Sequence, residues 1–220
     1  MCAFAANALS SLVGFGPASS TALRIKLYGS TLATPAEIAQ LVVLYTAATY
    51  LAGIVSLGLC VAAAVTPIAA AVRLPPSAMG LVATGLMAPA ALWFVLFRRS
   101  RRGRPAPDLI ARSTALGAGV GDWIFSGAAL FVLTSAAPAA FPAFLAVFCL
   151  GSLLGGLAGV PGGVGVLEAT VLGLHVGSLP HASVAALILY RAVYLLGPAV
   201  VAVVGLSGRR LVGALRRDGA

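Results

Sequence analysis

Acidic residues are nearly absent from this sequence. Five Asp and Glu stand against 14 Lys and Arg in 220 residues, and charged side chains of both signs make up 9% of the chain. A soluble domain carries about a quarter charged residues, so a water-exposed globular surface is excluded. Histidine is limited to His175 and His181, six positions apart with no carboxylate at ligand spacing, which argues against a metal centre. Cys2, Cys60 and Cys149 stand alone in apolar sequence, so neither a disulfide framework nor a paired redox or zinc motif can be built from them. No Gly-Lys-Ser/Thr follows a glycine-rich loop, and Gly163-Val164-Gly165 lacks the later glycine and preceding strand of a dinucleotide fingerprint. Ser19 and Ser20 have no nearby base, and no Ser-His-Asp or Cys-His grouping exists, so the chain is not expected to be an enzyme of that kind. No cofactor is expected. Met1 to Ala6 has no basic residue ahead of its apolar ones, and a cleavable signal peptide is not expected there.

What the chain has instead is apolar sequence, 60% hydrophobic residues with a mean hydropathy of +1.06. This composition predicts an all-α fold, a polytopic membrane helical bundle. The net charge of +9 is gathered in loops beside the apolar stretches. Basic clusters in such places set membrane orientation or meet anionic lipid, so nucleic acid is not an expected partner. Membrane lipids are, and an oligomer is compatible with the sequence.

A span needs about 20 mostly apolar residues. Met1 to Ser20 reaches that length but is interrupted by Gly14-Phe15-Gly16-Pro17, and is read as a broken helix. Thr21 to Glu37 carries Arg24, Lys26 and Tyr28 and ends in Thr34-Pro35-Ala36-Glu37, the pattern of a helix cap, a first-turn proline and a first-turn acid. The following helix is expected from Ile38 to about Val65, ending at Thr66-Pro67. Pro75-Pro76-Ser77 opens another, to Phe97. Arg98 to Arg112 is a basic loop. Further spans are expected over Ser113 to Ser135, Phe141 to Ala158 and Ser183 to Leu206, with Val164 to Val176 as a shorter segment and a basic tail over Arg209 to Ala220. Seven membrane segments result, and residues 1–208 form one membrane domain.

Placing the basic loop in the cytoplasm puts Arg24, Lys26 and the tail there too, provided the segment after Pro161 crosses; twelve of the 14 basic residues then lie inside. The two glycine-proline breaks, Gly14-Gly16-Pro17 and Pro161-Gly162-Gly163-Gly165, run in opposite directions in this arrangement. Paired interrupted helices, spanning or re-entrant, place a binding site at membrane depth in transporters built from inverted repeats. Gly151, Gly155, Gly159 and Gly163 recur every fourth residue and predict one face of close helix packing.

Two acids fall within membrane segments, Asp122 and Glu168, and Arg191 with Arg24 supplies positive charge. Ionisable groups at that depth are costly and are functional candidates. Two readings stay open. The charges hold the bundle together as internal ion pairs, or they line a cavity for a charged head group, with Arg matching phosphate geometry. Tyr28, Tyr190, Tyr194, Trp93 and Trp123 are read as interfacial or packing aromatics.

The stretch Val160-Pro161-Gly162-Gly163-Val164-Gly165-Val166-Leu167-Glu168 resembles the signature of the membrane region of lysylphosphatidylglycerol synthase/flippases, the multiple peptide resistance factor family. Asn7 to Gly16 with Leu23-Arg24 and Leu27-Tyr28, Gly121-Asp122-Trp123, and Leu189-Tyr190-Arg191 through Gly197-Pro198 resemble further motifs of that family, in the same order. The resemblance covers nearly the whole chain. It implies a multi-pass protein of the bacterial inner membrane that binds and moves a lipid, such as an aminoacylated phosphatidylglycerol or a related glycolipid or polyprenyl lipid. Arg24, Tyr28, Asp122, Glu168 and Arg191 would contact the head group and phosphate. The soluble synthase domain of the full-length relatives has no counterpart here, so lipid aminoacylation is not expected, and two helices that usually precede the matched region imply an N-terminally incomplete membrane domain. Two other roles fit the residues: a non-catalytic scaffold recruiting a lipid-modifying or glycosyl-transfer enzyme through its basic loop, and an ion-coupled small-solute transporter.

Overall fold

The structure is a computed structural model and describes residues 8, 16–28, 34–96, 108–134, 136–160, 163–174, 184–205 and 207. Among these there is no strand, and the fold is all-α. The helices are α1 (Gly16–Tyr28), α2 (Pro35–Ala63), α3 (Val65–Val72), α4 (Pro76–Leu96), α5 (Leu109–Val132), α6 (Phe141–Leu157), α7 (Val166–Gly173) and α8 (Val184–Arg191). Five stretches are long and apolar enough to cross a membrane: Pro35–Ala63, Pro76–Phe94, Arg112–Val132, Pro138–Leu157 and Val184–Gly205. The chain is a multi-pass membrane protein.

Local chemistry explains where the helices begin. Thr34 caps α2: its hydroxyl accepts from the Glu37 N–H at 3.3 Å, and Glu37 accepts from the Thr34 N–H at 3.0 Å, with Pro35 at the first helical position. The end of α2 falls earlier than the Thr66-Pro67 pair predicts. The backbone leaves the helix at Ala64 (φ −127°, ψ 40°), and Pro67 sits instead in the first turn of α3, where no helical N–H is missed. That short helix stops at Arg73, which adopts a left-handed φ of 56°. Arg112 ties α5 to α4 by donating from Nη1 to the Phe94 carbonyl at 2.8 Å.

Helices α2 and α6 organise the bundle. The first packs against α1, α4, α5 and α6. The second is the most buried of the five spans, and Phe144, Leu145, Val147, Phe148 and Cys149 meet Cys60 and Val61 of α2, Met79 and Ala83 of α4, Leu130 of α5 and Leu187 of α8 in one core. Small residues set the α2–α5 distance. A methyl group on Gly53 would lie 2.6 Å from the Trp123 ring, and one on Gly119 2.7 Å from Ala52. Trp123 then donates from Nε1 to the Thr49 carbonyl at 3.0 Å, so this tryptophan is a packing residue, as its sequence context predicts.

Gly16 and Pro17 are the first described residues of α1, which carries Arg24, Lys26 and Tyr28; of the predicted broken helix ahead of them only Ala8 is described. Gly14 lies outside the described residues. Two expectations are corrected. The helix after Pro161 is shorter than the predicted segment Val164 to Val176: α7 has eight residues, about 12 Å at 1.5 Å per residue, too short to cross a membrane as a helix by itself. The four-residue glycine repeat is not one helical face either. Gly151 and Gly155 pack against α7 and the chain before it, whereas Gly159 (φ 67°) and Gly163 (φ 64°) are left-handed and belong to the turn.

Candidate functional site

The break between α6 and α7 turns the chain back on itself. After Leu157 the chain turns and comes back along α6, close enough that a methyl on Gly155 would sit 3.0 Å from the Gly163 Cα; one turn earlier, Gly151 faces Leu167 and Thr170. No larger residue would permit this approach. Gly165 (φ 86°, ψ −41°) then opens α7 in a conformation that L side chains rarely adopt. Having no side chain, it cannot cap the helix itself. Glu168 at the third position does so by accepting from the Gly165 N–H at 2.7 Å. Pro161 and Gly162 lie outside the described residues.

Arg191, at the end of α8, reaches into this turn. Its Nε and Nη2 grip both oxygens of Glu168, the second at 2.9 Å, and Nη2 also donates to the Gly163 carbonyl at 3.1 Å. The pairing is bidentate, the arrangement in which a guanidinium binds a carboxylate best. It satisfies the acid, a broken-segment carbonyl and the cation together, and both side chains keep 18% and 24% of their surface accessible. The internal ion-pair reading is therefore realised at these two residues.

The helix beyond Arg191 widens. Ala192–Leu196 is a π-helical turn, closed by a bond from the Gly197 N–H to the Ala192 carbonyl. Pro198 explains it, because in an α-helix its ring would strike the Tyr194 carbonyl four residues back. On this stretch Tyr190 and Tyr194 stack with ring centroids 5.2 Å apart. Ser126 of α5 donates to the Tyr194 hydroxyl at 2.7 Å. The Tyr190 ring is edge-on to Phe148, and its phenol lies within electrostatic range of both Arg191 and Asp122.

Asp122 is the middle residue of the Arg112–Val132 span and is exposed on its surface, one turn from Ser126 and within electrostatic range of Tyr194. Tyr45 of α2 is a further neighbour of Tyr194, and the Arg24 guanidinium lies over the Tyr45 ring with Cζ 5.5 Å from its centroid. The Arg24 Nε is buried without a hydrogen-bond partner. Arg24 and Asp122 form no ion pair with Glu168 or Arg191 among the described residues. Tyr28 closes α1, one turn beyond Arg24, and its side chain lies outside the described residues.

One polar track thus runs through apolar helices: Gly163, Gly165, Glu168, Arg191, Tyr190, Tyr194, Ser126 and Asp122, then Tyr45 and Arg24. The two tyrosines of the last span, which their context marks as interfacial or packing aromatics, are its middle. Tyr45 and Ser126 carry no sequence signal beyond being hydroxyl residues in spans, since their partner Tyr194 is remote in the chain. No group of three metal-ligating side chains exists among the described residues, and His175 and His181 lie outside them. No protein-family model and no curated protein matches this chain.

Proposed function

We propose that this protein binds a lipid with a charged head group and moves it between the leaflets of a bacterial inner membrane, without chemically modifying it. The observation that carries this reading is the polar track. It begins at a broken helix whose carbonyl and N–H groups are held by an ion pair, and it continues to a mid-span carboxylate on a helix surface that would otherwise face hydrocarbon. A structural ion pair alone needs no such continuation. The resemblance of Pro161 through Glu168, Asp122-Trp123 and Tyr190-Arg191 to the lysylphosphatidylglycerol synthase/flippase membrane region supports the same occupant.

Glu168, with both oxygens engaged by Arg191, is a positioning residue for that guanidinium, rather than a direct contact of the head group. Arg24 offers a guanidinium to phosphate, and Arg191, held by Glu168 and the Gly163 carbonyl, lends its positive charge to the same head group. Asp122, one turn from the Ser126–Tyr194 hydrogen bond, faces the cationic or hydroxylated part. Such a site favours a zwitterionic or aminoacylated lipid over a plain anionic one. The scaffold reading depends on Arg98 to Arg104, which lie outside the described residues, and no observation favours it or the small-solute reading.

Reconstitution in vesicles with leaflet-resolved labelling of lysylphosphatidylglycerol and phosphatidylglycerol tests this. Arg191→Ala and Asp122→Asn are each expected to slow movement of the aminoacylated lipid at least tenfold, equivalent to about 1.4 kcal/mol, with Asp122→Asn sparing phosphatidylglycerol. Unchanged rates in both variants would remove the assignment.

A further inference from the structure

Asp122 lies on the side of α5 where Ser126 reaches the last span, and no cation pairs with it among the described residues. Ser126 stands one turn away and donates to the Tyr194 hydroxyl at 2.7 Å, which brings Tyr194 of the last span, with Tyr190 stacked on it, to this side of α5. Behind Tyr194, α2 presents Tyr45, whose ring is covered by Arg24 of α1. Arg191 is committed to Glu168 and the Gly163 carbonyl. Other titratable groups on the helices packed against α5 are turned elsewhere: Tyr50 abuts Gly156, and Cys60 and Cys149 are neighbours in the core. Among the described residues, Asp122 has no ion-pair partner.

Phenols and a serine hydroxyl can donate hydrogen bonds to a carboxylate, but they cannot cancel its charge. At the midpoint of a span that charge is the costly element. Two species can remove it: a proton on the carboxylate, or a cationic group that pairs with it. One carboxylate cannot be neutralised by both at once, so each displaces the other.

We propose that Asp122 is a proton-exchange site, protonated when no ligand is bound and surrendering that proton to water when a cationic head group pairs with it. The carboxylic acid becomes a carboxylate, the O–H bond breaks, and the ammonium of the ligand replaces the lost proton. Movement of such a lipid is thereby coupled to a proton moving the other way. The exchange half rests on the lipid reading above; protonation of the empty site does not.

Infrared difference spectroscopy of the protein in lipid nanodiscs, titrated between about pH 5 and 8, separates the two. The empty wild type is expected to show the C=O stretch of a protonated carboxyl that is missing in Asp122→Asn and kept in Glu168→Gln. Tyr194→Phe, which preserves the ring, is expected to shift that band by removing a hydroxyl from the site. No such band in wild type, or one that survives in Asp122→Asn, overturns the proposal even if lipid is still moved. Adding lysylphosphatidylglycerol is expected to abolish the band and release protons to a pH dye, whereas phosphatidylglycerol leaves both unchanged. A band assigned to Asp122 that persists with lysylphosphatidylglycerol overturns the exchange and counts against the lipid reading itself.

Discussion

Arg191 holds three things that would otherwise be unsatisfied in hydrocarbon: a carboxylate, a carbonyl from an irregular turn and its own charge. Alanine at this position frees all three, whereas lysine keeps the charge but lacks the planar fork that reaches Glu168 and Gly163 together. The pair is partly accessible, so its coupling is smaller than that of a fully buried pair, about 1 to 3 kcal/mol. Thermal unfolding in detergent micelles across Arg191→Ala, Glu168→Ala and the double variant is expected to give that coupling, with Arg191→Lys as destabilised as Arg191→Ala to within about 1 kcal/mol. Additive single effects would mean that the ion pair contributes nothing. Glu168, Asp122 and Arg191 are conspicuous in the sequence because each is an ionisable residue inside apolar runs. That Glu168 and Arg191 meet each other and Asp122 does not is set by the fold of the α6–α7 turn, which side-chain chemistry alone does not specify.

The element that carries the site is the turn from α6 into α7, and its shape depends on residues without side chains. Gly155 and Gly163 bring two backbones into contact, and Gly165 takes a φ of 86° with ψ of −41°. An alanine at Gly165 meets no neighbouring atom, so its whole effect is backbone strain, of order 1 to 3 kcal/mol. Gly165→Ala is expected to destabilise the protein by that amount and to weaken the Arg191–Glu168 coupling, because Glu168 caps α7 through the Gly165 N–H. If Gly165→Ala unfolds at the wild-type temperature with an unchanged double-mutant coupling, the turn is not what positions Glu168. The glycine-proline pattern announces a break here, and the Thr34-Pro35-Ala36-Glu37 pattern announces the start of α2, since both depend on local backbone chemistry. Helix lengths and roles near Pro17 are less legible. A proline preceded by glycine breaks a helix or begins one, and the pattern alone does not choose between them. The π-helical turn after Arg191 follows from Pro198, although its sequence is equally compatible with a kink.

At the scale of the whole molecule, five long apolar stretches are readable from hydropathy, but the side on which the chain emerges is not settled by their number. With Arg98 to Arg112 cytoplasmic, three long spans follow before the tail, which would leave Arg209, Arg210, Arg216 and Arg217 on the far side. That contradicts the bias of basic residues toward the cytoplasm. The conflict disappears if the chain between Leu157 and Val184 crosses once, with α7 supplying about 12 Å of the passage alongside α6. A half-helix is tolerated at membrane depth only where protein covers its open end or a polar cavity adjoins it, and the Glu168–Arg191 clamp supplies polar partners at the end where α7 begins. Reporter fusions and thiol labelling from outside intact cells are therefore expected to find cysteines placed at Arg101 and Ser207 both protected and one placed at Arg73 reactive. Labelling at Ser207 together with protection at Arg101 would make α7 a re-entrant segment that returns to the side it came from. The site would then open to one leaflet only, and translocation would require Arg191 to leave Glu168.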